Sequence, residues 1–152
     1  MNIVGIGHAG CQVVKQFEKY TQYETYFIDT NKQKEYKNFF KVVARDSHEE
    51  YEQKYKSLPF KEITGKITLV FSGSGKISGI LLRVLEQLKK TNVNVLYIKP
   101  DLKSADKKAK LREKVVFGIL QQYARSNLIS QLFIFSNLHV ESVLNAVSIQ
   151  NY

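Results

Sequence analysis

Apolar residues fall into short runs separated by polar, basic or glycine-containing stretches, and their period changes from run to run. Residues 2–6 form an apolar run that stops at a glycine segment, after which Val13, Val14, Phe17 and Tyr20 recur at helical spacing. The pattern predicts a strand, a tight loop and a helix over 11–20. Residues 25–28 are β-prone and close on Asp29-Thr30-Asn31-Lys32, and 39–44 read as a third strand. Ser47, with Glu50 three residues later, opens a capped helix, and Pro59 breaks the pattern. The clearest unit is a strand over 67–71, a second glycine segment, and a helix over 80–90 with Ile80, Leu81, Val84, Leu85 and Leu88 on one face. A strand over 94–98 ends at Lys99-Pro100, and an amphipathic helix follows over about 105–125, with Phe117, Leu120 and Tyr123 as its core stripe. A strand over 131–135 and a helix near 140–147 complete the series. Such alternation predicts an α/β fold: a parallel sheet with helices on both faces.

Composition narrows the class. A chain of 152 residues, 43% hydrophobic and 24% charged, has the balance of one globular domain, and no linker or repeat divides it. No apolar run approaches the roughly 20 residues of a membrane-spanning helix, and the first residues lack the layout of a signal peptide, so the expected location is cytoplasmic and no membrane partner is expected. The single cysteine, Cys11, rules out an intrachain disulfide, and only His8, His48 and His139 could add imidazole to a metal site. The net charge of +9 points to a polyanion: nucleic acid, a membrane surface or a phosphate ligand. Its densest stretch, 99–114, holds six Lys and one Arg against Asp101, Asp106 and Glu113, without interleaved aromatics. That is the pattern of a solvated helix face, and nucleic acid is the disfavoured partner.

Glycine usage is more informative. Of eight glycines, three lie in Gly5-Ile6-Gly7-His8-Ala9-Gly10 and three in Gly73-Ser74-Gly75-Lys76-Ile77-Ser78-Gly79. Each segment joins a strand to a helix at the carboxyl edge of the expected sheet, where backbone N–H groups and a helix N-terminus can receive a phosphate. The first, with Asp29 at the end of the next strand, fits a dinucleotide fingerprint; it also fits a tight turn that binds nothing. The second does not match the P-loop spacing, and a second cradle suggests a nucleotide held from two sides.

Here the chain resembles the tubulin/FtsZ superfamily. Gly5-Ile-Gly-His-Ala-Gly-Cys-Gln12 is similar to that family's first nucleotide loop, and Gly73, Gly75, Ser78 and Gly79 match its glycine-rich signature. Phe27-Ile-Asp-Thr-Asn31 resembles the string after its second strand with acid and amide exchanged; Val95-Leu-Tyr-Ile-Lys-Pro100 and Leu132-Phe-Ile-Phe-Ser-Asn137 resemble two later strand ends. The resemblance implies a Rossmann-like, tubulin/FtsZ-type domain over 1–152 that binds GTP or GDP with Mg2+ held mostly by water and phosphate. It implies Gly7, His8, Gly10, Cys11 and Gln12 under the phosphates and near the base, and Asp29 and Asn31 at the phosphate or metal edge. Gly73, Ser74, Gly75, Lys76, Ser78 and Gly79 would surround the phosphates, and Asn137 would approach the ribose. Cys11 is then a small packing residue beside the nucleotide, rather than a thiol activated by a helix N-terminus.

The departures are as telling. Lys76 and Ile77 replace Thr and Gly of the signature; the lysine offers a countercharge, whereas Ile77 puts a branched side chain where backbone should approach closely. Residues 44–64 contain no glycine-rich loop to sense a γ-phosphate, and Asp46-Ser-His-Glu-Glu-Tyr51 is acidic instead. Residues 146–152 resemble the opening of the family's core helix, so the chain is expected to lack the second domain and the catalytic acids that a neighbouring subunit receives. No catalytic residue is assigned, and the chain alone is not expected to hydrolyse GTP. Two readings follow: the nucleotide domain of a protein that self-associates head to tail, or a structural assembly component, for example of a virion, that keeps the fold without the nucleotide.

Overall fold

The computed structural model describes residues 1–31, 35–54, 63–88 and 91–136. The expected Asn137, the break at Pro59 and the helix near 140–147 lie outside them. Six strands form one all-parallel sheet: β1 (Asn2–Ile6), β2 (Glu24–Asp29), β3 (Phe39–Lys41), β4 (Lys66–Ser72), β5 (Asn92–Lys99) and β6 (Gln131–Ser136). Four helices are described: α1 (Gly7–Lys15), α2 (His48–Lys54), α3 (Leu81–Leu88) and α4 (Lys107–Arg125). The strand order β3-β2-β1-β4-β5-β6 gives an α/β sheet of Rossmann-like order.

The side chains of each strand divide between two apolar layers, as the pleat requires. Val4, Ile28, Ile67, Leu69, Phe71, Val95 and Tyr97 join residues of α2, α3 and α4 on one face. Ile3, Phe27, Val70 and Ile98 join Cys11 and Val14 of α1 on the other. Burial on both faces explains why these strands read as nearly continuous apolar runs.

Boundaries moved where small residues carry helix. The helix expected to start at Cys11 begins at Gly7, so Gly7 to Gly10, read as a loop, is the first turn of α1. Glycine's low helix propensity conceals this, yet the turn packs so closely on the sheet that a β-carbon on Gly10 would lie 2.2 Å from the Val70 carbonyl oxygen. Past Lys15 the chain tightens into a 3-10 turn, Gln16–Lys19. A second 3-10 turn, Lys76–Ile80, precedes α3, so regular α-helix starts one residue after the expected Ile80. Capping is as expected for α2, where the Glu50 N–H donates to Ser47 Oγ at 3.2 Å, and α4 adds Asp106, which accepts from the Ala109 N–H at 2.7 Å.

Candidate functional site

From β1 the chain runs outward through β2 and β3, then returns to place β4 on the other side of β1. The strand order therefore reverses between β1 and β4, and the carboxyl edge at such a point is where open α/β sheets accept ligands. Both glycine segments lie there, one after each strand. A β-carbon on Gly7 would come within 2.9 Å of Ile77 Cγ2, so the two segments are in contact.

The first segment leaves β1 and turns at Gly7, whose φ of +73° suits glycine. Ile6 occupies the N-cap with no side-chain hydrogen bond, and no acidic residue stands in the first turn. Among the described residues the leading N–H groups of α1 thus have no side-chain acceptor, and the helix dipole puts partial positive charge at this end. His8 and Gln12 are exposed; Gly7, Gly10 and Cys11 are buried. The Cys11 thiol faces Gly5 O at 3.5 Å and Ile28 O at 3.6 Å, inside the layer between α1 and the sheet. Burial, with Asp29 adding to it, pushes that thiol up to about 12, the opposite of an activated nucleophile.

Asp29 closes β2 at 8% exposure, and its Oδ1 accepts the Thr30 N–H at 2.7 Å. Burial raises its pKa, while the Thr30 N–H and the nearby His8 pull the other way. Asn31 is exposed. Among the described residues no three His, Cys, Asp or Glu converge as a metal cluster.

The second segment is braced from within and from behind. Ser78 Oγ donates within the loop, where Gly75 O at 2.7 Å and Gly73 O at 3.2 Å both accept. A β-carbon on Gly79 would lie 2.1 Å from His48 O, which fixes the amino end of α2 against this turn. One on Gly73 would lie 2.5 Å from the Tyr97 hydroxyl. Gly75 and Lys76 are exposed, Ser74 is half-buried, and Ile77 Cγ2 reaches over both Gly7 and Gly75.

The residues that hold this loop were not among those expected. From α4, Arg112 Nε donates to Ser74 O at 2.9 Å, and Glu113, 6% exposed, accepts from the Tyr97 hydroxyl at 3.0 Å. Burial first, then Glu113, raises the Tyr97 pKa. His48 is held toward its neutral form by burial, and its Nε2 is buried without a hydrogen-bond partner among the described residues. One signal for Glu113 is present in the sequence: it stands three and seven residues before Val116 and Leu120, on the buried stripe of α4. Burial sorts the expected residues. His8, Gln12, Asn31, Gly75 and Lys76 are open at the carboxyl edge, whereas Gly10, Cys11, Ser78 and Gly79 contact the fold itself.

Compared with descriptions of known protein families and with curated proteins, the chain matches none.

Proposed function

We propose that this chain binds the phosphates of a nucleotide at the carboxyl edge between β1 and β4, and that the nucleotide is GTP or GDP with Mg2+, as its resemblance to the tubulin/FtsZ superfamily implies. One observation carries the reading: α1 begins at the switch point with a left-handed Gly7, no side-chain cap and no acid in its first turn. The exposed Lys76 supplies countercharge on the facing segment. The chain acts as the nucleotide domain of a self-associating protein and hydrolyses nothing alone.

A second reading is favoured by Ile77. Its Cγ2 fills the gap between Gly7 and Gly75, which suits a structural assembly protein that keeps the fold and has dispensed with the ligand. Calorimetric titration with GTP, GDP and NADH, each with Mg2+, separates these. Binding of GTP or GDP, strengthened in Ile77→Gly, supports the first reading. Absence of binding in both the parent and Ile77→Gly supports the second, and preference for NADH would instead make this a dinucleotide domain.

A further inference from the structure

α4 has two apolar stripes, and the described residues cover only one of them. Val116 and Leu120 are buried against the sheet, with Phe117 and Tyr123 packed beside them. On the outer side Leu111, Val115, Gly118 and Gln122 follow one another at intervals of four, three and four residues, the spacing that keeps one seam turned toward a second helix. Leu111 is 62% exposed and Val115 45%. With Ile119 and Leu82 of α3 they line an open groove.

Gly118 is the second observation. Glycine inside a helix costs stability relative to alanine. Nothing lies within 4 Å of where a β-carbon at Gly118 would be, so no contact within the described residues accounts for it. A helix crossing closely at the centre of the seam does.

Charge selects the occupant. Lys107, Lys108, Lys110, Lys114 and Arg125 are exposed along α4, while Glu113, the helix's one acid, is buried on Tyr97. Two copies of this chain paired along α4 would set these cations against cations, with no exposed carboxylate within either α4 and only the N-cap Asp106 at its end to offset them. The seam is also a narrow one, with a glycine and a glutamine in it, and the aromatic residue that borders the groove, Tyr123, is packed partly against the core rather than free to enter a membrane interface.

We infer that the outer seam of α4 is a docking site for an acidic, amphipathic α-helix of another protein. The test is fluorescence anisotropy with a labelled synthetic helix of about 20 residues, carrying leucines at alternating four- and three-residue spacing flanked by glutamates. The same peptide with lysines for glutamates is the control. The glutamate peptide binds the full chain, and the lysine peptide does not. Leu111→Asp weakens binding by about tenfold or more, as does raising salt from about 50 to about 500 mM. Gly118→Leu weakens it similarly, whereas Gly118→Ala raises the thermal midpoint of the free chain. Both positions face solvent, and circular dichroism checks that the variants keep the fold. Equal binding of the two peptides, or parent-like binding by both Leu111→Asp and Gly118→Leu, overturns the inference. So does binding to anionic vesicles without binding to the peptide, or a dimer of this chain that Leu111→Asp dissolves.

Discussion

Replacing Gly10 by alanine adds one methyl group at the tightest helix–strand contact on the α1 face. The new β-carbon lies 2.2 Å from the Val70 carbonyl oxygen and 3.0 Å from its carbon, where an ordinary contact is 3.4 Å or more. The shortfall, 3.4 Å less 2.2 Å, is about 1.2 Å, and both parties are backbone, so no side chain can rotate away. Either α1 lifts from β4 or β4 bends, and β4 is held on both sides by β1 and β5. Lifting α1 separates Cys11 and Val14, both fully buried, from Ile3, Phe27 and Val70. A gap of about 1 Å forfeits a quarter to a half of such contacts. Added to an overpacking cost of roughly 1–3 kcal/mol, this predicts a loss of about 3 kcal/mol or more, a large share of a typical domain stability of about 5–15 kcal/mol. Urea unfolding followed by circular dichroism measures it as a lowered midpoint at unchanged slope. The internal control is Gly118→Ala, the same chemical change in open space, which should stabilise by about 0.5–1 kcal/mol. A Gly10→Ala loss under about 1 kcal/mol would refute the close-contact argument. A corollary concerns ligands: loss of nucleotide binding in a Gly10 variant reports an altered fold, so Ile77→Gly and Lys76→Ala are the informative changes at the site.

The remaining predictions concern buried polar groups. Cys11, with its thiol pushed up to about 12, should resist a thiol reagent in the folded chain at about pH 8 and react promptly in urea; rapid labelling without denaturant would contradict the burial. Tyr97→Phe leaves the Glu113 carboxylate without its hydroxyl donor and should cost about 1–3 kcal/mol in urea unfolding, with Tyr97→Phe and Glu113→Gln coupled in a double-mutant cycle; purely additive losses would deny the hydrogen bond. Burial holds the folded His48 pKa below its ordinary 6.5. Above that value the imidazole is neutral in both states and adds no pH dependence. As pH falls below it the unfolded chain takes up the proton first, so stability drops until the folded pKa is passed. His48→Asn should therefore flatten the change in unfolding midpoint between about pH 7 and pH 5.5, and an unchanged slope would show that His48 is not the group responsible.

Strand positions were legible because both faces of the sheet are covered, which concentrates Ile, Val, Leu and Phe into runs such as Ile67 to Phe71 that polar residues interrupt little. Helix starts were less legible. At Gly7 to Gly10 the same residues that signal a loop by propensity are selected for closeness to β4, a tertiary requirement that local pattern does not display. The site divides along similar lines. Spacing located both glycine segments at one edge, yet it could not show that Ile77 spans them. Nor could it show that Arg112 and Glu113, 38 and 40 residues beyond Ser74 and Gly73, brace the second segment from α4. Contacts across a crossover connection leave only an indirect trace, such as one carboxylate on an otherwise apolar stripe.

The central place of β1 bears on how the molecule is made. Its hydrogen-bonding edges are filled by β2 on one side and by β4, more than 60 residues later, on the other. During synthesis β1 can pair with β2 early, but its second edge stays open until Ser72 has been translated and has left the ribosome. At about 5–20 residues per second that interval lasts several seconds, and throughout it an apolar, unpaired edge at Ile3 and Val4 is presented to the cell. The sheet is then extended outward by β5 and β6, so the two strands that carry the proposed phosphate site are paired before the sheet is complete.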